Sequence, residues 1–126
     1  MLSAELSNGE RVIAWEVDRK QAPFRCPVCN GELTLKQGRV RIHHFAHTMD
    51  ADCPYRGGET QEHLRAKVAI YEALKRDPRV SKLELERYLV TVRPDISCYV
   101  DKTPVAIEIQ RSNLNIETVK YRIAEY

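Results

Sequence analysis

Residues 26–53 read CPVCNGELTLKQGRVRIHHFAHTMDADC, so that a Cys-x-x-Cys pair stands ahead of three histidines and a third cysteine. Structural zinc sites take four thiolate and imidazole ligands in a tetrahedron. The two-residue turn between Cys26 and Cys29 directs both thiolates to one metal, and His47 and Cys53 would complete the set. This stretch therefore predicts a structural Zn²⁺ that staples the N-terminal part of the chain.

The fourth ligand is open at the level of sequence. Either His44 or His43 in place of Cys53 gives a Cys2His2 set, and the spacing does not decide between this set and the one with three cysteines. A catalytic zinc of the deaminase type requires His-x-Glu ahead of Pro-Cys-x-x-Cys, and nothing upstream of Cys26 supplies it. A structural zinc is therefore preferred to a catalytic one.

Two β-hairpins are predicted around the Cys pair. Asn8-Gly9 separates the strand-like runs 2–6 and 11–17, and Asn-Gly is a strong hairpin signal. In the same way Gln37-Gly38 separates Glu32–Lys36 from Val40–Phe45. Residues 1–57 are therefore predicted to form a β-hairpin and zinc-binding module.

The pattern becomes helical over Thr60–Arg76, where large apolar residues recur at spacings of three and four, and Asp77-Pro78 stops the helix. Three strand-like runs follow between residues 80 and 109, and apolar residues at helical spacing predict a second helix at Asn115–Tyr126. Residues 58–126 are therefore predicted to form an αβββα unit. The whole chain is predicted to be an α/β (α+β) protein.

Two acids flank the hairpin predicted for the last two strands. If Val100 pairs with Val105, the apolar residues share one face and Asp95 lies opposite Gln110. Asp95 and Glu108 then become diagonal neighbours, about 7 Å apart at the backbone. Two carboxylates at this distance suit one Mg²⁺ or Mn²⁺, which would hold a phosphate and lower the pKa of a bound water. A solvated polar sheet face is the alternative interpretation of the same spacing.

Other polar residues have predicted places around this pair. Gln110 stands where a side chain can orient the attacking water, and Glu62 at the helix start is a candidate third acid for ligation or proton transfer. Lys67 or Arg93 is a candidate for offsetting phosphate charge. The predicted catalytic set is Glu62, Asp95, Glu108 and Gln110.

Composition restricts the class of protein. The 126 residues carry 20 Lys and Arg against 18 Asp and Glu, a net charge of +2 that permits nucleic-acid binding without requiring it. No run approaches the ~18 apolar residues of a membrane span, and Met1–Asn8 lacks both the basic and the apolar part of a signal peptide. A cytoplasmic protein without membrane contacts is expected, in which Cys26 and Cys29 are metal ligands.

A longer series of motifs runs through the chain: Cys26-Pro-Val-Cys29, His44-Phe-Ala-His47, Cys53-Pro-Tyr, Glu62-His63, Arg93-Pro-Asp95, Glu108-Ile-Gln110-x-Ser112 and Arg122-x-x-x-Tyr126. In this order the motifs resemble one known family, the competence protein CoiA-like family, over about residues 20–126. The resemblance implies a zinc-finger-like segment, a nuclease domain similar to the PD-(D/E)xK restriction-endonuclease fold, and DNA processing linked to natural transformation or recombination.

The resemblance also assigns individual residues by position. Asp95 matches the Asp of the nuclease motif and Glu108 its second acid, whereas Gln110 stands where the motif usually has Lys. Members of this family commonly show Glu-x-Gln. Because Gln stands in place of Lys, the resemblance leaves the general base unassigned. Glu62 matches the acid often found on the first helix of the fold. Relatives usually continue into at least one more strand, so a chain ending at Tyr126 is expected to be truncated or completed by a partner.

The sequence therefore predicts a metal-dependent DNA nuclease or DNA-processing protein with a structural Zn²⁺ and a catalytic Mg²⁺ or Mn²⁺. Its expected partners are single- or double-stranded DNA and other proteins of DNA processing. The alternative is a non-catalytic zinc-containing module that keeps the nuclease fold and binds DNA or protein.

Overall fold

The computed structural model describes residues 1–48, 51–89 and 92–110, together with the backbone of 111 and 117–123. The chain divides into two compact units, Met1–Gln61 and Glu62–Tyr126. Each unit has an antiparallel sheet of its own, and α1 (Gln61–Lys75) is the one α-helix among the described residues. The architecture is therefore mixed α/β, as the sequence predicts.

The first unit is a five-stranded antiparallel sheet with strand order β2-β1-β3-β4-β5. Alternation along the fourth strand buries Leu33 and Leu35, and the rings of Phe24 and Phe45 pack with centroids 5.0 Å apart in the core. Its elements are β1 (Ser3–Glu5), β2 (Arg11–Ile13), a 3-10 turn (Arg19–Gln21), β3 (Phe24–Arg25), β4 (Glu32–Lys36) and β5 (His44–His47).

The first predicted hairpin is confirmed by β1 and β2. Ser3 pairs with Ile13, and the chain turns through Asn8-Gly9. Gly9 has a φ of 84°, a left-handed conformation that glycine adopts without steric cost. The Asn-Gly signal therefore locates this turn correctly, although the strands are shorter than the apolar runs.

The second hairpin is offset from its prediction. β5 begins at His44 instead of Val40, because Leu35 pairs with Phe45 and both side chains are buried. Val40 lies in the connecting loop with 86% of its surface exposed. Burial of the apolar face sets the register, so residues 37–43 form a longer loop than predicted.

The second unit consists of α1 and a four-stranded antiparallel sheet in the order β6-β7-β8-β9. α1 lies where the sequence predicts a helix and buries Leu64, Lys67 and Tyr71, which form one stripe at spacings of three and four. Within the described chain, no helix has the length and apolar character that a membrane crossing requires. The strands are β6 (Val80–Leu85), β7 (Ile96–Val100), β8 (Thr103–Arg111) and β9 (Glu117–Ile123).

The β7–β8 hairpin has a tighter turn than predicted. Val100 pairs with Thr103, so Asp101 and Lys102 alone make the turn, and Asp101 takes a φ of 55° that Asp tolerates well. The predicted pairing of Val100 with Val105 is wrong by two residues. Because the side-chain period of a strand is two, each face nevertheless keeps the predicted side chains.

The predicted helix at Asn115–Tyr126 is wrong, because the structure has strand β9 there. β9 pairs antiparallel with β8 along its whole length. Its β-branched residues Thr118, Val119 and Ile123 favour a strand, and the long edge of β8 supplies the backbone partners. Of the C-terminal motif residues, Ser112 and Tyr126 lie outside the described residues, and Arg122 is described by its backbone alone.

Candidate metal centre and carboxylate site

Four potential metal ligands converge in the first unit. Cys26 and Cys29 follow β3, His47 ends β5, and Cys53 comes from the segment after it. One ligand atom of each residue lies within 4.8 Å of those of the other three, and Cys26 and Cys53 are buried. These three cysteines, like Cys98 in the second unit, are free thiols. This Cys3His group has the ligand number of a tetrahedral structural site, so it can hold a metal ion.

Hydrogen bonds fix the turn that carries the Cys pair. The Val28 N–H donates to Cys26 Sγ at 3.4 Å, and the Gly31 N–H donates to Cys29 Sγ at 3.3 Å. Asn30 takes a φ of 59°, and its N–H donates to the Cys26 carbonyl at 2.9 Å. A Cβ at residue 31 would stand 3.1 Å from Cys29 Sγ, so glycine leaves room for the sulfur. N–H groups aimed at sulfur stabilise the thiolate, which is the metal-binding form.

The buried surroundings of these sulfurs favour binding of a cation. Burial raises the pKa of the Cys26 thiol to about 11, although backbone N–H groups of Cys29 and Val28 act in the opposite direction. A thiolate in this position is favourable only beside a cation, which is the role of a bound metal. The donor set and its burial therefore fit a metal ion.

The structure also distinguishes between the candidate fourth ligands. Cys53 belongs to the convergent group, whereas His44 points elsewhere: its Nδ1 lies 2.9 Å from the Ile42 carbonyl. His43 is half-buried in the loop before β5 and is likewise outside the group. The geometry thus brings three cysteines and His47 together, and not the Cys2His2 alternative.

Asp95 is the centre of a polar cluster in the second unit. Its Oδ2 accepts a hydrogen bond from the Ile109 N–H at 2.8 Å, while Oδ1 lies 3.3 Å from His63 Nε2 and 3.5 Å from Lys67 Nζ. Burial acts to raise the pKa of Asp95, but the His63 contact, the Lys67 charge and the Ile109 N–H together hold it below its usual value. Asp95 therefore remains ionised at neutral pH.

The register of β7 and β8 differs from the predicted one near the two acids. The last pair of the ladder is Ile96 with Ile107, so Asp95 immediately precedes β7 and Glu108 immediately follows Ile107 on β8. Both acids are therefore next to the same pair, whereas the predicted register sets Asp95 opposite Gln110. Glu108 is half-buried and Gln110 is exposed on the same strand. Carboxylates supply the hard oxygen donors that Mg²⁺ and Mn²⁺ prefer.

A fully buried ion pair adjoins this cluster. Lys67 Nζ lies 2.6 Å from Glu86 Oε2, and the two side chains are 0% and 1% exposed. Arg93 Nη1 lies 3.9 Å from the other oxygen, Glu86 Oε1. Burial opposes ionisation of Glu86, but the charges of Lys67 and Arg93 outweigh it and lower its pKa to about 2. One lysine therefore holds two ionised carboxylates, Glu86 and Asp95.

The sequence analysis missed two members of this cluster. Glu62 is exposed on α1, and its neighbour His63 is the side chain that reaches Asp95. Glu86 lies just beyond β6 with a φ of 54°, and its N–H donates to the Asp95 carbonyl at 2.9 Å. The available signal was Lys67, which falls within the buried stripe of α1 and therefore requires an acidic partner.

Breaking the buried pair is expected to destabilise the second unit strongly. Lys67→Met removes the cation that lies 2.6 Å from Glu86 Oε2, and loss of one partner of a buried pair typically costs about 3–5 kcal/mol. The double variant Lys67→Met, Glu86→Gln is expected to recover part of that loss. The free energy of unfolding of each variant is measured by urea unfolding, with amide hydrogen exchange in β7 as the readout. Additive effects of the two substitutions would show that the pair is not coupled.

Acid is expected to weaken the same unit in a defined range. The pKa of Glu86 falls from 4.5 to about 2 on folding, so its contribution to stability is complete above pH 4.5 and is lost as the pH falls toward 2. Asp95 acts in the same direction. Exchange protection in β7 should decline over this range, with a smaller decline in Glu86→Gln. An identical decline in that variant would contradict the assignment.

Comparison with known proteins agrees with the division of the chain. Residues 9–56 match the family model "Competence protein CoiA, N-terminal domain", and residues 59–126 match "Competence protein CoiA, nuclease-like domain". Competence protein CoiA of Bacillus subtilis (strain 168) is 37% identical over 94 residues, which cover 72% of this chain and 25% of that protein. The chain thus spans a quarter of the length of this relative. No solved structure matches the present chain.

Proposed function

The chain belongs to the competence protein CoiA family, and we propose that it is a DNA nuclease whose second unit hydrolyses phosphodiester bonds with a divalent metal. The observation that carries the proposal is Asp95 in the nuclease-like domain, an acid kept ionised by its contacts with His63 and Lys67. The match to the nuclease-like family model favours a PD-(D/E)xK-like core for this unit.

In this proposal Asp95 and Glu108 would hold Mg²⁺ or Mn²⁺. The bound ion would polarise the scissile phosphate and lower the pKa of a water molecule. Lys67 and the Ile109 N–H keep Asp95 ionised and hold its carboxylate in place. His63, within 3.3 Å of Asp95, is the nearest titratable side chain that can move a proton. Gln110, exposed on β8, is assigned to orienting the water, and Glu62 to a supporting acid role.

In the first unit, we assign Zn²⁺ to Cys26, Cys29, His47 and Cys53. Three thiolates and one imidazole are soft and borderline donors, which favour zinc over the hard cations Mg²⁺ and Ca²⁺. All four positions carry protein ligands, so the site would be closed and structural. Free thiols in such a site require a reducing compartment, which favours the cytoplasm.

Cleavage of fluorescently labelled DNA by the full chain tests the nuclease proposal. Single- and double-stranded substrates are incubated with Mg²⁺, with Mn²⁺ and with no added divalent ion. We expect cleavage only with an added ion. Intact DNA under every condition, at protein concentrations that bind it, would instead support the second candidate.

The second candidate is a non-catalytic DNA-binding or protein-interaction module that keeps the nuclease fold. One observation favours it: both oxygens of Asp95 already contact protein groups. In that case DNA binding would persist with a steep salt dependence and no cleavage.

A further inference from the structure

The first unit contains a basic groove whose lining includes none of the candidate sulfur ligands. The groove has a volume of about 370 Å³, and its lining includes Arg19, Lys36, Gln37, Arg41 and His44. Lys36 ends β4, Arg41 belongs to the loop before β5, and Arg19 starts the 3-10 turn. The loop of residues 37–43, which the register places outside the sheet, therefore forms one wall of a groove whose charged groups all come from basic residues.

Within the described part of the chain, no carboxylate pairs with the positive charges in this groove. Arg19, Lys36 and Arg41 are exposed, and among the described side chains none of the three forms an ion pair. Arg19 donates from Nε to the Leu35 carbonyl at 3.4 Å, and its side chain belongs to the groove lining. Residues 36–48 contain no Asp or Glu. In contrast, the interior cations of the second unit, Lys67 and Arg93, face carboxylates.

We propose that this groove binds the phosphodiester backbone of DNA, an inference that rests on the proposed nuclease function for the identity of the polyanion. Exposed guanidinium and ammonium groups release counterions when they meet phosphates, which supplies sequence-independent affinity. Arg forks also bind phosphate oxygens in pairs. Contacts to the backbone position the nucleic acid without reading its sequence. The first unit would therefore hold DNA, separately from the carboxylates of the second unit.

An anionic membrane is the competing partner for a basic surface, and the groove suits it less well. Membrane association normally adds an apolar face to the basic residues. In the described part of the first unit, Val40 is the one large hydrophobic residue that is exposed. A concave basic surface, in a unit with so little exposed apolar area, matches a phosphate chain better than a lipid layer.

The test compares two double variants with the same change in charge. Lys36→Ala, Arg41→Ala removes one Lys and one Arg from the groove, and neither side chain makes a hydrogen bond within the described protein. Arg65→Ala, Lys75→Ala removes one of each from exposed positions of α1. Binding of a labelled 20-mer is followed by fluorescence anisotropy over a range of salt concentrations, with no added divalent ion. Equal zinc content and circular dichroism verify the fold.

We expect the groove variant to bind about 10-fold more weakly at 100 mM salt, and its salt slope to fall by about 1.4 for single strands or 1.8 for duplex, as for two lost phosphate contacts. The α1 variant should stay close to wild type. Equal losses in both variants, or an unchanged slope in the groove variant, would overturn the proposal, as would loss of binding to phosphatidylserine vesicles without loss of DNA binding.

This outcome is separable from the nuclease proposal. DNA binding that depends on Lys36 and Arg41 in a chain that never cleaves would retain the groove and refute the enzyme. Cleavage that depends on Asp95, together with binding that is indifferent to the groove, would refute the groove and retain the enzyme.

Discussion

Asp95→Asn is expected to lower the rate of metal-dependent DNA cleavage by about 1,000-fold. A catalytic metal contributes several kcal/mol to transition-state stabilisation, and each 1.36 kcal/mol corresponds to a factor of ten in rate. The asparagine is isosteric and can still accept the Ile109 N–H, so the hairpin should remain intact, but it lacks the charge that a divalent ion requires. The measurement is single-turnover cleavage of labelled DNA by the full chain.

Asp101→Asn is the matched control for that experiment. It makes the same chemical change in the same hairpin, at an exposed turn position whose φ of 55° suits Asn as well as Asp. We expect Asp101→Asn to cleave at a rate near that of the wild type. Glu108→Gln should lose about as much activity as Asp95→Asn. If wild type and both site variants cleave at equal rates, the activity does not come from Asp95 and Glu108.

The sequence located the elements of the carboxylate site better than their contacts. Period-2 alternation predicted which residues of β7 and β8 share a face, and that holds although the register is shifted by two residues. The turn length decided the shift, because Asp101 adopts a left-handed conformation that permits a two-residue turn. Local pattern therefore predicted the two faces of the sheet, whereas the register of β7 against β8 depended on the conformation of one turn residue.

Contacts between distant segments were beyond the reach of local pattern. Glu86 looks like one of several surface acids in its strand, and only the buried Lys67, 19 positions earlier, gives it a role. The β9 segment shows the opposite problem. Its apolar residues satisfy a helical spacing, but the free edge of β8 offers a whole ladder of backbone hydrogen bonds, which tertiary context favours over helical propensity.

The family resemblance was more informative than any single spacing. Asp-x12-Glu-x-Gln is a weak signal by itself, whereas the whole series of motifs indicates one family, which the two CoiA family models confirm. For the metal centre, ligand type and spacing were sufficient to predict that Cys26, Cys29 and His47 converge, because a two-residue knuckle leaves few ways to arrange its sulfurs. The choice of Cys53 over a second histidine needed the register of β5.

Cys53→Ala is expected to abolish the ordered structure of the first unit. Cys53 and Cys26 are part of its small core, and a core of this size supplies only about 3–5 kcal/mol, whereas zinc binding supplies about 10–16 kcal/mol to zinc-finger folding. The zinc content measured by elemental analysis should fall from about one ion per chain to well under half an ion per chain. Amide exchange in β3 to β5 should lose protection, and a chelator should reproduce that loss in the wild type.

Cys98→Ala separates loss of the metal from loss of a buried thiol. Cys98 is 3% exposed and Cys53 is 4% exposed, so the two substitutions remove the same atom from similarly buried positions. Cys98 lies on the apolar face of β7 and is outside the Cys3His group. We therefore expect Cys98→Ala to keep its zinc and the protection of the first unit. Full zinc content in Cys53→Ala would leave His47 and the Cys26–Cys29 pair sufficient for binding, and the four-ligand assignment would then be wrong.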